Sequence, residues 1–189
     1  SVMLLEAQQA YLLKLARNRI RKSSTGSPWF SPEFSSVDAA LLEHLACFVT
    51  LHLDGNLRGC IGSLTAREPL VRAVSQAAHN ASSKDPRFPP VAPDEVERLD
   101  IEISVLSALQ PMTWQTEEDL VAQLRPQRDG LLLQEGTRSG TFLPSVWATF
   151  PEPANFWRNL KRKAGLADDH WSTTLTVRRY TTHSFGQRG

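Results

Sequence analysis

Cys60 is the side chain of this sequence best suited to covalent chemistry, and its immediate neighbours give it a setting. It stands in Leu57-Arg58-Gly59-Cys60-Ile61-Gly62, two residues from a guanidinium. Residues i and i+2 of a strand share a face, and a nearby cation favours the thiolate, the form of cysteine that attacks electrophiles. Gly59 and Gly62 flank the thiol, and glycine inside a strand often marks close approach of a ligand or another backbone. This pattern suits a catalytic pair of Cys60 and Arg58. The plainer alternative is packing, since free cysteine is among the most buried residue types and commonly acts as a small hydrophobe. Cys47 shares the parity of Val49 and Leu51 and reads as a core thiol.

The element that must position these groups is a hairpin. Phe48 to Leu64, FVTLHLDGNLRGCIGSL, is two apolar-alternating runs around Asp54-Gly55-Asn56. Its register matters because a slip of one residue moves every side chain to the other face. A two-residue turn pairs His52 with Leu57 and Leu51 with Arg58, mixing polar and apolar groups. A three-residue loop faces Leu53 with Leu57, Leu51 with Gly59 and Val49 with Ile61, which sorts cleanly. The second register is adopted here, and it gathers Thr50, His52, Arg58 and Cys60 on one face. Thr50 and Gly59 thereby become candidates for contact with a substrate.

The LRGCIGSL run resembles the signature of the AMMECR domain family, the RGCIG motif within it. The similarity continues in FVTL before the turn, DPRFPPV at Asp85 to Val91, IEISVL from Ile101, FLPSV at Phe142 to Val146 and KAGL at Lys163 to Leu166. The resemblance implies one α+β module with a larger and a smaller lobe. It also implies that the DPRF segment lines the same cleft as Arg58 and Cys60, which adds Asp85 and Arg87 as substrate-binding candidates. Read from sequence alone, Asp85 and Arg87 flank a proline and brace each other or cap helix ends equally well. Partners follow from the same resemblance. In bacteria and archaea the family is often encoded beside a Memo-type protein and a radical-SAM protein, the AmmeMemoRadiSam system, which implies association with both.

The rest of the chain supplies scaffolding. A length of 189 residues, 41% hydrophobic and 22% charged, is that of one globular domain, 1–189, with a real core. Its net charge of +1 calls for neither nucleic acid nor membrane. Two cysteines on opposite faces make no disulfide framework, which suits a reducing cytoplasm. No run of about 18 apolar residues is present for a membrane span, and no signal peptide is read. Periodicity predicts a helix over 1–22, starting at Val2, with Lys14, Arg17 and Arg21 on its outer side. An arm rich in Ser, Pro and Gly follows at 23–36, carrying Trp29 and Phe30, and the core of the resemblance occupies 37–185.

A helix over Glu68 to Ala81 starts close enough to Cys60 for its N-terminus to help hold an anion. His79 near its end has two readings, an interface histidine or a further member of the substrate-binding set. Leu99 to Leu106 alternates as a strand, with Glu102 as an expected partner of Arg58. Short helices are predicted at Glu117 to Leu124 and Pro153 to Ala164, a closing strand at Thr173 to Tyr180, and a loose tail beyond it. The fold class is α+β, a mixed or antiparallel sheet with packed helices.

No phosphate loop or dinucleotide fingerprint is visible, and the five histidines lack ligand spacing, so no cofactor and no metal are expected. Two functions remain. One is a cysteine-dependent enzyme or catalytic subunit acting on a small or anionic substrate, with Arg58 and Arg87 holding the anion and His52 or His79 moving protons. The other is a binding or adaptor module using the same cleft without turnover. The enzyme reading is preferred by a narrow margin.

Overall fold

The computed structural model of the chain describes residues 3–189, so the expected helix start at Val2 lies outside the described residues. They form two compact units, residues 3–106 with 183–189, and residues 107–182. Each is built on a four-stranded sheet. The pairings resolved in register are all antiparallel, which decides between the mixed and antiparallel alternatives.

In the larger unit α1 (Glu6–Thr25) buries Leu12, Leu15, Ala16 and Ile20. It runs three residues past the expected end at 22. The hydroxyls of Ser23, Ser24 and Thr25 turn back onto carbonyls of the preceding turn, and Gly26, in the left-handed region at φ 66°, stops the helix. Arg17, expected on the outer side, is buried. Its guanidinium donates to the carbonyl oxygens of Val96 (2.7 Å) and Leu99 (2.9 Å), satisfying the end of a 3-10 turn at Pro93–Arg98.

The hairpin is β1 (Cys47–Leu53) and β2 (Asn56–Gly62); α2 (Leu70–Ser83) and β3 (Asp100–Leu106) follow, and the last strand of the chain is β8 (Thr182–Gln187). The sheet order is β2-β1-β3-β8. Cys47, Val49 and Leu51 of β1 and Ile101, Ile103 and Val105 of β3 form one core with the buried stripes of α1 and α2. Alternation leaves Thr50, His52, Asp100 and Glu102 on the opposite face. The predicted loose tail is instead β8: Phe185 enters the core, and Ser184 meets the Ser104 hydroxyl at 2.9 Å.

The smaller unit comprises β4 (Gln110–Pro111), α3 (Glu117–Gln123), β5 (Gly130–Glu135), β6 (Arg138–Phe142), α4 (Pro153–Lys163) and β7 (Thr176–Tyr180), with sheet order β4-β7-β5-β6. Thr116 caps α3, its hydroxyl accepting from the Asp119 amide. Leu131, Leu133, Val177 and Phe142 pack with Leu120, Phe156 and Leu160. Trp147 stacks on Phe156 with ring centroids 3.7 Å apart. Lys161, near the basic end of α4, is buried and donates to Glu117 at 2.8 Å and to the His170 carbonyl at 3.2 Å.

Candidate functional site

The hairpin turn is Asp54-Gly55, with φ of 52° and 81°. Positive values at both central residues are the mark of a two-residue turn whose twist matches the strands. Leu53 accordingly pairs with Asn56 and His52 with Leu57. Further from the turn Leu51 pairs with Gly59, Thr50 with Cys60 and Val49 with Ile61, as the three-residue loop predicts. A bulge between Leu51 and His52 reconciles the two registers, leaving Arg58 without a partner on β1. The turn satisfies its own chemistry, and the strand absorbs the extra residue.

That bulge corrects the expected role of Arg58. Its guanidinium makes a two-pronged contact with Glu95, Nε to Oε2 and Nη2 to Oε1, both at 3.0 Å. Nη1 donates to the Pro89 carbonyl at 2.7 Å and Nη2 to that of Pro90 at 3.2 Å. Arg58 therefore fastens the proline-rich connection, residues 85–95, to the hairpin. Glu95 takes the place predicted for Glu102, which sits opposite Thr50 on β3 instead. The paired guanidinium holds the Glu95 carboxyl below its usual range, the hydrogen bonds outweighing burial.

Cys60 gains different neighbours. Its Sγ lies 3.2 Å from the Thr50 hydroxyl across the β1–β2 pair. Its amide points out of the sheet edge and donates to Asp85 Oδ2 at 3.0 Å. Asp85 is only 4% exposed and also binds Arg87: Oδ1 accepts from the Arg87 amide (3.1 Å) and Nε (3.0 Å), and Oδ2 from Nη2 (2.8 Å). These bonds hold the Asp85 carboxyl far below the usual range, Arg87 contributing most and burial opposing. Arg87 Nη2 further reaches the Cys60 carbonyl at 3.5 Å, while its side chain stays 54% exposed. The proton of Arg87 is held more tightly than usual, chiefly through Asp85, with burial opposing. Arg87, rather than Arg58, is thus the guanidinium that reaches the Cys60 main chain.

Gly59 is required by packing. A Cβ there would meet the Ala81 carbonyl oxygen of α2 at 2.1 Å, so α2 rests directly on the strand backbone. This close approach is to protein, not to a ligand. Cys47 is 2% exposed, and burial pushes its thiol up to about 12, in keeping with a core role.

The remaining candidates are spread elsewhere. His79 Nδ1 faces the Ser23 hydroxyl of α1 at 2.7 Å. Burial, with Arg19 and Lys84 nearby, lowers its pKa, as suits the interface reading. His52 stands opposite Leu57 and Asp100. Among the described residues no hydrogen bond links His52 or His79 to Cys60. At the start of α2 the Leu70 amide is already taken by the Glu43 carbonyl at 2.9 Å, and a hollow of about 150 Å³ there is lined by Ser63, Arg67 and Glu68. No hydrogen bond among the described residues links the start of α2 to Cys60. Among the described residues no group of three His, Cys, Asp or Glu side chains is placed to hold a metal ion, and no helix is long and apolar enough to cross a membrane.

Glu95 and the carbonyls of Pro89 and Pro90 join this assembly without being marked as site residues by any motif of the sequence. A proline-rich connection without regular structure leaves carbonyls free to accept, and that was the available signal.

Proteins of similar sequence extend over nearly the whole chain. A protein of Methanothermobacter thermautotrophicus is 35% identical over 180 residues, covering 94% of this chain and 93% of its own. Another, of Thermococcus gammatolerans, is 36% identical over 184 residues, covering 93% and 88%. The crystal structure of the uncharacterized protein PH0010 from Pyrococcus horikoshii superimposes with a TM-score of 0.89 at 32% identity, covering 97% of this chain and 93% of that one. The AMMECR1 family model matches residues 13–185, and the chain belongs to the AMMECR1 family.

Proposed function

We propose that the chain is a cysteine-dependent enzyme, or the catalytic subunit of one, that takes a small anionic substrate at the Cys60 edge of its larger unit. The observation that carries this reading is the buried Asp85 carboxylate, which ties the Cys60 amide and the half-exposed Arg87 guanidinium to one group. A cation held at the Cys60 main chain supports anion recognition, and a cation near a thiol favours the attacking thiolate. In the proposed step the thiol proton goes to solvent and sulfur bonds an electrophilic carbon of the substrate. The leaving group departs with the displaced electron pair. Thr50 orients the sulfur, Arg87 holds the substrate anion, and Arg58 positions the segment that carries Asp85 and Arg87. Association with a Memo-type protein and a radical-SAM protein, implied by the family resemblance, belongs to the same proposal and is tested by co-purification with tagged partners.

The test compares alkylation of Cys60 by iodoacetate, an anion, and by iodoacetamide, its neutral counterpart, across pH with peptide mapping. Cys47 stays silent in the native protein because it is buried. Wild type is expected to prefer iodoacetate by about tenfold, and Arg87→Ala to lose that preference, a difference of one charge interaction worth about 1.4 kcal/mol. A thiol that stays inert at every pH until the protein unfolds would refute the covalent mechanism. It would leave the cleft as a binding module.

A further inference from the structure

The outer side of α1 forms a second feature with the arm that follows it. Tyr11, Lys14, Leu15, Asn18, Arg21 and Lys22 recur at helical spacing and, with Trp29 and Pro32, enclose a groove of about 440 Å³. That volume falls within the range of roughly 300–1,000 Å³ typical of ligand sites. Arg19 lies over the Trp29 ring at 5.2 Å and pins the arm in place. The next residue, Phe30, projects outward and is 83% exposed. The groove therefore has apolar walls from Tyr11, Leu15, Trp29 and Pro32 and a basic rim.

We propose that this groove docks a short acidic segment of another protein, one that carries aliphatic or aromatic anchors. Charge complementarity argues for that occupant. Arg21 is already paired with Glu97, but neither the Lys14 nor the Lys22 ammonium has an ion pair or hydrogen bond among the described residues, and both residues are exposed. Glu33, after Pro32, is the single acidic residue of the arm at 26–36. The walls call for apolar side chains on the partner and the two free lysines for carboxylates. From Tyr11 to Lys22 the stripe is about 16 Å long, which matches about three turns of a docked helix with anchors at i, i+4 and i+7.

Other anionic surfaces fit less well. Recognition of acidic lipid by a polybasic patch uses roughly 4–8 cations, and a flat headgroup layer does not fill a groove lined by the buried Leu15. Salt-sensitive DNA binding draws on roughly 6–10 phosphate contacts, against two free lysines here. The proposal is independent of the chemistry at Cys60.

The test uses fluorescence anisotropy of the whole chain with a labelled 12-residue peptide. Its Leu, Phe and Leu anchors sit at i, i+4 and i+7 in a Glu-rich background, and a second peptide replaces every Glu with Lys. The acidic peptide is expected to bind saturably with a Kd of about 10–100 μM, a range typical of weak peptide docking. The basic peptide is expected not to bind. Lys14→Glu with Lys22→Glu, both on the surface, should weaken the acidic peptide at least tenfold and admit the basic one. Absence of saturable binding, an unchanged Kd in the charge-reversed variant, or preferential binding of phosphatidylserine vesicles or single-stranded DNA overturns the proposal.

Discussion

Replacing Asp85 by Asn isolates the one carboxylate on which the site depends. Asp85 accepts four hydrogen bonds, two on each oxygen, and each oxygen serves one main-chain amide and one nitrogen of the Arg87 side chain. A carboxamide keeps one oxygen. Whichever way it is turned, its NH2 faces two donors, so either the Cys60 amide or the Arg87 amide loses its acceptor. An unsatisfied main-chain donor costs about 1–3 kcal/mol. The Arg87 side chain adds up to about 1 kcal/mol, since it is more than half exposed and water replaces much of its contact. The expected loss is about 2–3 kcal/mol at the middle of those ranges, a fall of roughly 4–12 °C in melting temperature at this chain length.

The pH dependence provides a second check. Asp85 titrates near 3.9 in the unfolded chain, and in the folded chain it is held well below that. A depressed folded value makes the carboxylate's contribution complete above the unfolded value, and it is lost as pH falls toward the folded one. Asp85→Asn has no such titration. The gap in stability between wild type and variant should therefore be flat from about pH 5 to 8 and narrow below about pH 4. Thermal melts followed by circular dichroism, with hydrogen exchange at the Cys60 amide, measure both. Equal melting at pH 7, or a gap undiminished at pH 3, refutes the reasoning.

Gly59→Ala drives a methyl group into the Ala81 carbonyl of α2 and should destabilise by about 1–3 kcal/mol or more, read from chemical denaturation. Arg58→Ala leaves the half-buried Glu95 without its cation and should cost about 1–3 kcal/mol; limited proteolysis should show residues 85–95 cut first, and an unchanged digestion pattern would count against the fastening role. Phe185→Ala removes the apolar anchor of β8 and should cost about 3 kcal/mol, with faster hydrogen exchange along β3 as its local sign.

Strand parity made most of the hairpin legible. The spacing of Val49, Leu51 and Ile61 was enough to put Thr50 against Cys60, and that contact is present. Parity does not tell whether a spare residue is taken up in the turn or in the strand, so Arg58 was assigned to the wrong surroundings. Its true partner, Glu95, lies 37 residues away, and no local rule reaches across a stretch held by prolines. Asp85 and Arg87 were visible only through family resemblance, because two charges flanking a proline read equally well as a local brace. They are that brace, and the Cys60 amide is the additional partner it serves. The tail was misread for a related reason: THSFGQ holds one large apolar residue, and its place in the sheet depends on β3 far upstream.

The Asp85 bond to the Cys60 amide has a consequence beyond chemistry. β2 is the outermost strand of its sheet, and a bare edge is a template on which another chain can add a strand and begin aggregation. Asp85 occupies an outward amide of that edge, and Arg58 draws the carbonyls of Pro89 and Pro90 in beside it. The same contacts that arrange the thiol thus cover the growing edge. Variants that open the site would also uncover an adhesive surface, so loss of solubility should accompany loss of the clamp even where the core remains folded.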